Sequence, residues 1–154
     1  MMSKNKLLNY YAILGQLSQP DDKVVADLGC GQFGYFVFPL ARLVGPSGKV
    51  YAVDVLPGVL DSIKKQARLE NLSQIETVWS NLEVFGATKI KEKALDAAFL
   101  INVLHQAHNG LDMIKEAARM IKPGGRLVLV DWSPKAKGFG PPPSQRLKPD
   151  KLLA

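Results

Sequence analysis

Val24-Val25-Ala26-Asp27-Leu28-Gly29-Cys30-Gly31-Gln32-Phe33-Gly34 decides how this 154-residue chain is read. An apolar run closes on an acid and then on three glycines, and an apolar helical pattern from Tyr35 to Val44 follows. This is the pattern of a buried parallel strand, a tight turn and a helix whose N-terminus faces a ligand. Glycine is needed where the chain turns with positive φ and where a ligand touches bare backbone. A second apolar run, Lys49-Val50-Tyr51-Ala52-Val53, ends on Asp54, a carboxylate placed to accept from the two hydroxyls of a ribose. Together these residues point to a nucleoside-containing cofactor lying across the end of a parallel sheet.

Two cofactors compete for such a turn. Gly29, Gly31 and Gly34 satisfy G-x-G-x-x-G, with an acid at about the distance expected for NAD. Asp27 argues the other way: its carboxylate would repel a pyrophosphate but attract the sulfonium and amino group of S-adenosylmethionine. The run Asp27-Leu28-Gly29-Cys30-Gly31 resembles the first motif of class I S-adenosylmethionine-dependent methyltransferases. The methyltransferase reading is the better one.

Length supports one domain, and 47% hydrophobic with 22% charged residues is ordinary for a globular chain. No apolar run approaches the roughly 20 residues that span a bilayer, and no signal-peptide pattern opens the sequence, so no membrane partner and a cytoplasmic location are expected. A single cysteine, Cys30, excludes an internal disulfide and a thiolate metal cluster. It sits inside the glycine turn, where a small half-buried side chain suffices. The net charge of +6 is concentrated in the tail, where Lys135, Lys137, Arg146, Lys148 and Lys151 face only Asp150. Such a tail is either a solvated segment or a contact for nucleic acid or an acidic substrate.

Periodicity and turn residues lay out the elements. Leu7, Leu8, Tyr11, Leu14 and Leu17 form a helical stripe over residues 3–18, and the first 20 residues read as an N-terminal helix ending at Gln19-Pro20. Strands are predicted at 23–28, 49–54, 75–80, 94–101 and 126–132, and helices at 34–44, 57–71 and 110–121. Pro39 marks a late or distorted helix start. On the last of these helices Leu111, Ile114, Ala117, Ala118 and Ile121 have core spacing, and Pro123-Gly124-Gly125 stops it. Strict alternation implies an α/β, doubly wound, mostly parallel sheet with right-handed crossovers. The division is residues 1–134 as a cofactor-binding domain and 135–154 as a basic Pro/Gly-rich tail with one helical turn from Pro149.

The resemblance runs over residues 20–134 in sequence order and implies a Rossmann-like sheet of about five strands in the order 3-2-1-4-5. Asp54 and Val55 fall at the ribose position, and Asn81-Leu82 where the family usually has an acid and an apolar residue beside the adenine. Asp96 to His105 resembles the fourth motif and its loop, and Lys122 to Asp131 (KPGGRLVLVD) a late signature of the small-molecule branch. The chain departs from the pattern in the extra residue between Gly31 and Gly34, and it ends where the family's final helix and last two strands would follow. The resemblance therefore implies a binding set of Asp27, Gly29, Cys30, Gly31, Gly34, Asp54, Val55, Asn81, Leu82 and Asn102, with S-adenosylhomocysteine as product. Asn102 and His105 stand where an acceptor approaches, with His105 as proton acceptor. His105 and His108 lie in one loop without a third nitrogen or sulfur ligand, so no metal is expected. Tyr10 and Tyr11 serve equally well as a lid over the cofactor or as packing on the sheet.

The acceptor is not written in the sequence. Arsenite methylation needs several thiols, and the N-P-P-aromatic signature of amino-methylating nucleic-acid enzymes is absent, since the chain reads Asn102-Val103-Leu104-His105. A small-molecule acceptor leads; the alternatives are RNA or protein methylation and a non-catalytic cofactor-binding module. Leu127 to Trp132 is apolar enough for a strand buried on both faces, with nothing obvious to cover its free edge. A homodimer across that strand, with the tail packed on the partner, is expected.

Overall fold

In a computed structural model, described for residues 8–152, the chain forms one five-stranded, all-parallel sheet in the order β3-β2-β1-β4-β5. The elements in chain order are α1 (Tyr10–Leu14), β1 (Val24–Leu28), α2 (Val37–Val44), β2 (Lys49–Asp54), α3 (Pro57–Leu69), β3 (Ile75–Trp79), β4 (Leu95–Ile101), α4 (Gly110–Met120), β5 (Ile121–Val130) and α5 (Pro149–Leu152). β1 is central, so its side chains are buried on both faces. Val25 packs in one cluster with Ile13 and Leu17, with α2 and with Leu60, Ile63 and Ala67 of α3. Ala26 and Leu28 point the other way, into a cluster with Met113, Ala117 and Met120 of α4. The alternation of side chains along the strand is what divides the helices between two layers.

Register then aligns the strand ends. Leu28 is level with Val53, so Gly29 stands beside Asp54. Asp54 is level with Trp79, and Ile101 with Val130, which sets Asn102 beside Asp131. The carboxyl edge of the sheet thus carries Asp54 and Asp131 in one row, with Asp27 just inside it.

Four expectations need correction. The N-terminal helix spans only Tyr10–Leu14, and residues 1–7, Leu7 among them, lie outside the described residues. α2 begins at Val37 and not at 34, which is the late start that Pro39 signalled, because Pro39 lacks the N–H for an interior turn and fits only a helix's start. α4 turns Met113, Glu116, Ala117 and Met120 inward and leaves Leu111 exposed. β5 resumes pairing at Ile121, level with Leu95, and Lys122 to Gly125 bulge out before Arg126 pairs with Ala97. The Pro-Gly-Gly stop is a bulge inside the strand, since unpaired residues there break no other ladder bond.

Glu116 is the reason the α4 face is rotated. It is fully buried, and its carboxylate accepts from the N–H of Gly86 (2.7 Å) and Thr88 (3.0 Å) and from Arg119 (2.7 and 2.9 Å). Arg119 in turn donates to the carbonyls of Thr88 and Ile90, each at 3.1 Å. The pair pins the long β3–β4 loop to α4. At the amino ends of the strands, opposite the carboxyl edge, Asp96 accepts from Val24 N–H (2.8 Å) and Lys122 (3.0 Å), which is a structural tie.

Burial alone would raise the Glu116 carboxyl, but Arg119 and the two amides bring it down to about 2. A depressed carboxylate stabilises the fold above its ordinary range and loses that contribution as pH falls from about 4.5 through about 2. Glu116→Gln should cost about 2–4 kcal/mol at pH 7, because Arg119 is left without its charge partner. The deficit should shrink towards pH 2 in urea titrations; a deficit independent of pH would contradict this.

Candidate functional site

The glycine turn is built by the end of β2. Val53 carbonyl accepts from Gly29 N–H (2.8 Å) and Cys30 N–H (3.0 Å), and Asp54 Oδ2 accepts from Gly31 N–H (3.1 Å). Asp54 Oδ1 accepts from Leu56 N–H (3.0 Å), so one carboxylate both closes the turn before α3 and fastens the loop after β1. Gly29 has φ +78°, and a Cβ there would sit 2.7 Å from a methyl of Val103, so only glycine lets the loops after β1 and β4 meet. Gly34, at φ +55°, is closed in by Ile63 and Phe38. Around Gly31, by contrast, nothing lies within 4 Å of a Cβ position, so this side of the turn is open.

These bonds decide what the turn can hold. The amides of Gly29, Cys30 and Gly31 are spent on the protein, and α2 starts only at Val37. A pyrophosphate needs free backbone N–H groups at a helix N-terminus. Here it would find none on those three residues, and two carboxylates beside them. The NAD alternative fails on that ground.

Asp27 is the unusual group. It is 3% exposed, and no hydrogen bond to its carboxylate forms among the described residues. Burial, then the nearby Asp54 charge, push it up to about 7. A buried carboxylate without a donor is costly to ionise unless a cation reaches it. Its residues fit S-adenosylmethionine, whose amino and sulfonium groups are of the sign that would relieve Asp27. Cys30 is buried, and its thiol is raised by burial and then by Asp27 and Asp54, so it stays protonated and is no nucleophile.

The other expected residues divide. Val55 is exposed beside Asp54, and its carbonyl accepts from the Trp79 indole (2.7 Å). Asn81 is exposed and folds its own turn by accepting from Glu83 N–H (3.0 Å). Leu82 is buried in the α4-side core with Val53 and Val78. Asn102 holds φ +56°, a left-handed conformation that Asn tolerates better than most, and its N–H donates to Val130 carbonyl (2.7 Å). Tyr10 stacks on Phe36 with ring centroids 5.3 Å apart, which places α1 over the loop that follows the glycine turn. His105 Nδ1 lies 2.8 Å from Asp131 Oδ1. Asp131 is the residue missed as a site member, although an acid closing β5 repeats the pattern of Asp54 closing β2.

The tail is less free than its charge suggested. Arg146 is buried and donates to the carbonyls of Pro141 (2.9 Å), Phe139 (3.2 Å), Ser133 (3.4 Å) and Ala136, so it folds residues 133–146 around itself. Lys135, Lys137, Lys148 and Lys151 remain exposed. Among the described residues no cluster of His, Cys, Asp and Glu is placed to hold a metal, and no helix is long and apolar enough to cross a membrane.

Comparison with known proteins agrees with this geometry. A profile of the methyltransferase domain family matches residues 26–129. The demethylmenaquinone methyltransferase of Lactococcus lactis is 32% identical over 109 residues, covering 71% of this chain and 42% of that protein. The tRNA N(3)-methylcytidine methyltransferase of Schizosaccharomyces pombe is 34% identical over 113 residues, covering 70% and 44%. The chain therefore spans less than half the length of these two curated relatives. The crystal structure of a SAM-dependent methyltransferase from Aquifex aeolicus shares the fold, with a TM-score of 0.82 over 99% of this chain and 79% of that one at 24% identity.

A raised carboxyl has a definite sign. Asp27 favours the fold fully below about pH 4, and that contribution is lost as pH rises through about 7. Asp27→Asn should therefore match the wild type at pH 4 and exceed it by about 1–4 kcal/mol at pH 8–9 in the ligand-free protein. Equal stabilities at pH 9 would show that Asp27 is not strained.

Proposed function

The chain belongs to the methyltransferase-domain family, and on that premise we propose that it is an S-adenosylmethionine-dependent methyltransferase acting on a small-molecule acceptor. The single observation that carries the reading is Asp27, a buried carboxylate with no donor among the described residues, beside a glycine turn whose Gly29, Cys30 and Gly31 amides are already spent. Bound S-adenosylmethionine supplies an activated methyl group, so the chain's own residues have to bind, orient and exclude water. In this reading Asp27 and the turn of Gly29, Cys30, Gly31 and Gly34, open at Gly31, receive the methionyl part. Asp54 and Val55 receive the ribose, and Asn81 with the backbone of Leu82, whose side chain is in the core, flanks the adenine. Asn102 and His105 border the acceptor. The relative named for a quinone methylation supports a small acceptor.

A second reading, RNA methylation, draws on the relative named for a tRNA product and on the four exposed lysines of the tail. It is weaker because Arg146, the tail's arginine, is consumed internally and Phe139 is the tail's one aromatic residue available for base stacking. The homodimer is proposed on the β5 edge alone, because Arg146, and Leu147 against the α4-side core, tie the tail to its own chain. Light scattering should give twice the 16.9 kDa chain mass, and a clean monomer would remove the dimer.

Calorimetry with S-adenosylhomocysteine tests the main reading. Asp54→Ala, confirmed as folded by circular dichroism, should bind about 1–3 kcal/mol more weakly than wild type, the loss of bonds to a charged acceptor. EDTA should change neither affinity. Unchanged affinity in Asp54→Ala, or loss of binding in EDTA restored by Zn²⁺ or Mg²⁺, would overturn the site as drawn.

A further inference from the structure

We propose that Asp131 is a positioning residue that fixes His105 as a general base, and that the methyl acceptor is accordingly a phenolic or enolic hydroxyl compound. The inference rests on the methyltransferase reading above and names its substrate class.

The geometry is that of an oriented imidazole. Asp131 sits one residue past β5 with its side chain 2% exposed, and the His105 side chain is 11% exposed in the short turn after β4. Asp131 Oδ1 lies 2.8 Å from His105 Nδ1 and accepts from Trp132 N–H at 2.7 Å. Asp131 Oδ2 is 3.3 Å from the His105 backbone N–H. A carboxylate can only accept, so Nδ1 carries the hydrogen and Nε2 holds the lone pair. The Gln106 amide nitrogen, a donor, stands 3.5 Å from Nε2, which agrees with that tautomer. The backbone bond and the side-chain bond together fix both the position and the rotation of the ring. A residue that only capped the turn would have no need of the second.

A base fixed in this way selects among acceptors. A neutral amine attacks with a free lone pair and sheds its proton afterwards, so it gains little from a base at the transition state. A hydroxyl is a poor nucleophile until its proton is being removed. The O–H proton passes to Nε2 of His105, the acceptor oxygen forms its bond to the methyl carbon, and the electron pair of the broken C–S bond stays on sulfur. His105 then returns the proton to solvent. Asp131 stabilises the imidazolium in the interval without itself taking the proton. The register that sets Asn102 beside Asp131 keeps this pair at the same carboxyl edge as Asp54.

Nitrogen-15 NMR of ring-labelled histidine decides the positioning claim without any acceptor. The chain has two histidines, and His108→Gln assigns their signals. At alkaline pH, His105 should be the Nδ1–H tautomer, and Asp131→Asn should abolish that preference while leaving S-adenosylhomocysteine affinity within about twofold of wild type. A dominant Nε2–H tautomer in the wild type overturns the proposal. For the substrate class, 4-nitrophenol added below its own pKa to the S-adenosylhomocysteine complex should develop the phenolate absorption band. The band should vanish in His105→Gln and weaken about tenfold or more in Asp131→Asn. No band in the wild type, or a band undiminished in His105→Gln, overturns the hydroxyl assignment. Failure of S-adenosylhomocysteine to bind at all would instead strike the methyltransferase reading, and leave the tautomer result standing by itself.

Discussion

The Asp54 carboxylate holds the loop after β1 to the loop after β2, through Gly31 N–H on one oxygen and Leu56 N–H on the other. Val53 carbonyl completes the tie by taking the next two amides, those of Gly29 and Cys30. With these bonds made, the turn offers a ligand little in the way of N–H groups and presents carboxylates instead. That polarity follows from β1 and β2 being neighbours in register, and it is why a cationic ligand suits the turn better than a phosphate.

Asp27 bears the cost of the arrangement. It lies almost wholly buried beside the turn, close enough to Asp54 for the two charges to oppose each other, and burial is the larger part of what lifts it to about 7. A fold selected for stability alone would place an apolar residue at this point in a central strand. Strain of this sort collects at sites that bind something able to relieve it. Asn102, held left-handed at the end of β4, is a second such place on the same edge. Elsewhere charge is treated conservatively: Glu116 with Arg119, Asp96 with Lys122 and Arg146 with its four carbonyls are each fully partnered.

How much of this could be read from the sequence varied with the range of the interaction. The glycine turn and the strands closing on Asp27 and Asp54 were legible, because alternating apolar segments and glycine placement are local signals, whereas the 3-2-1-4-5 order followed only from the family resemblance. The face of α4 was not, since apolar periodicity gives no sign that Glu116 is buried against Arg119 and two loop amides. The start of β5 was hidden because Pro123-Gly124-Gly125 reads as a stop, whereas a bulge carries those residues clear of the ladder. Arg146 read as one of five tail cations, and only the folded loop shows it as the group around which the tail is built. Asp131 was visible within KPGGRLVLVD, but its partnership with His105 depends on β4 and β5 lying side by side, 26 residues apart in sequence.

Proton release on ligand binding tests the central claim most directly. Burial raises the Asp27 carboxyl to about 7, so the ligand-free protein holds a proton there near neutral pH that a cationic ligand reaching it should displace. Calorimetric titration with S-adenosylmethionine near neutral pH, in buffers of differing ionisation enthalpy, should report proton release in the wild type that is lost in Asp27→Asn. Binding of S-adenosylmethionine without proton release, or tight binding of NAD in its place, would contradict the account.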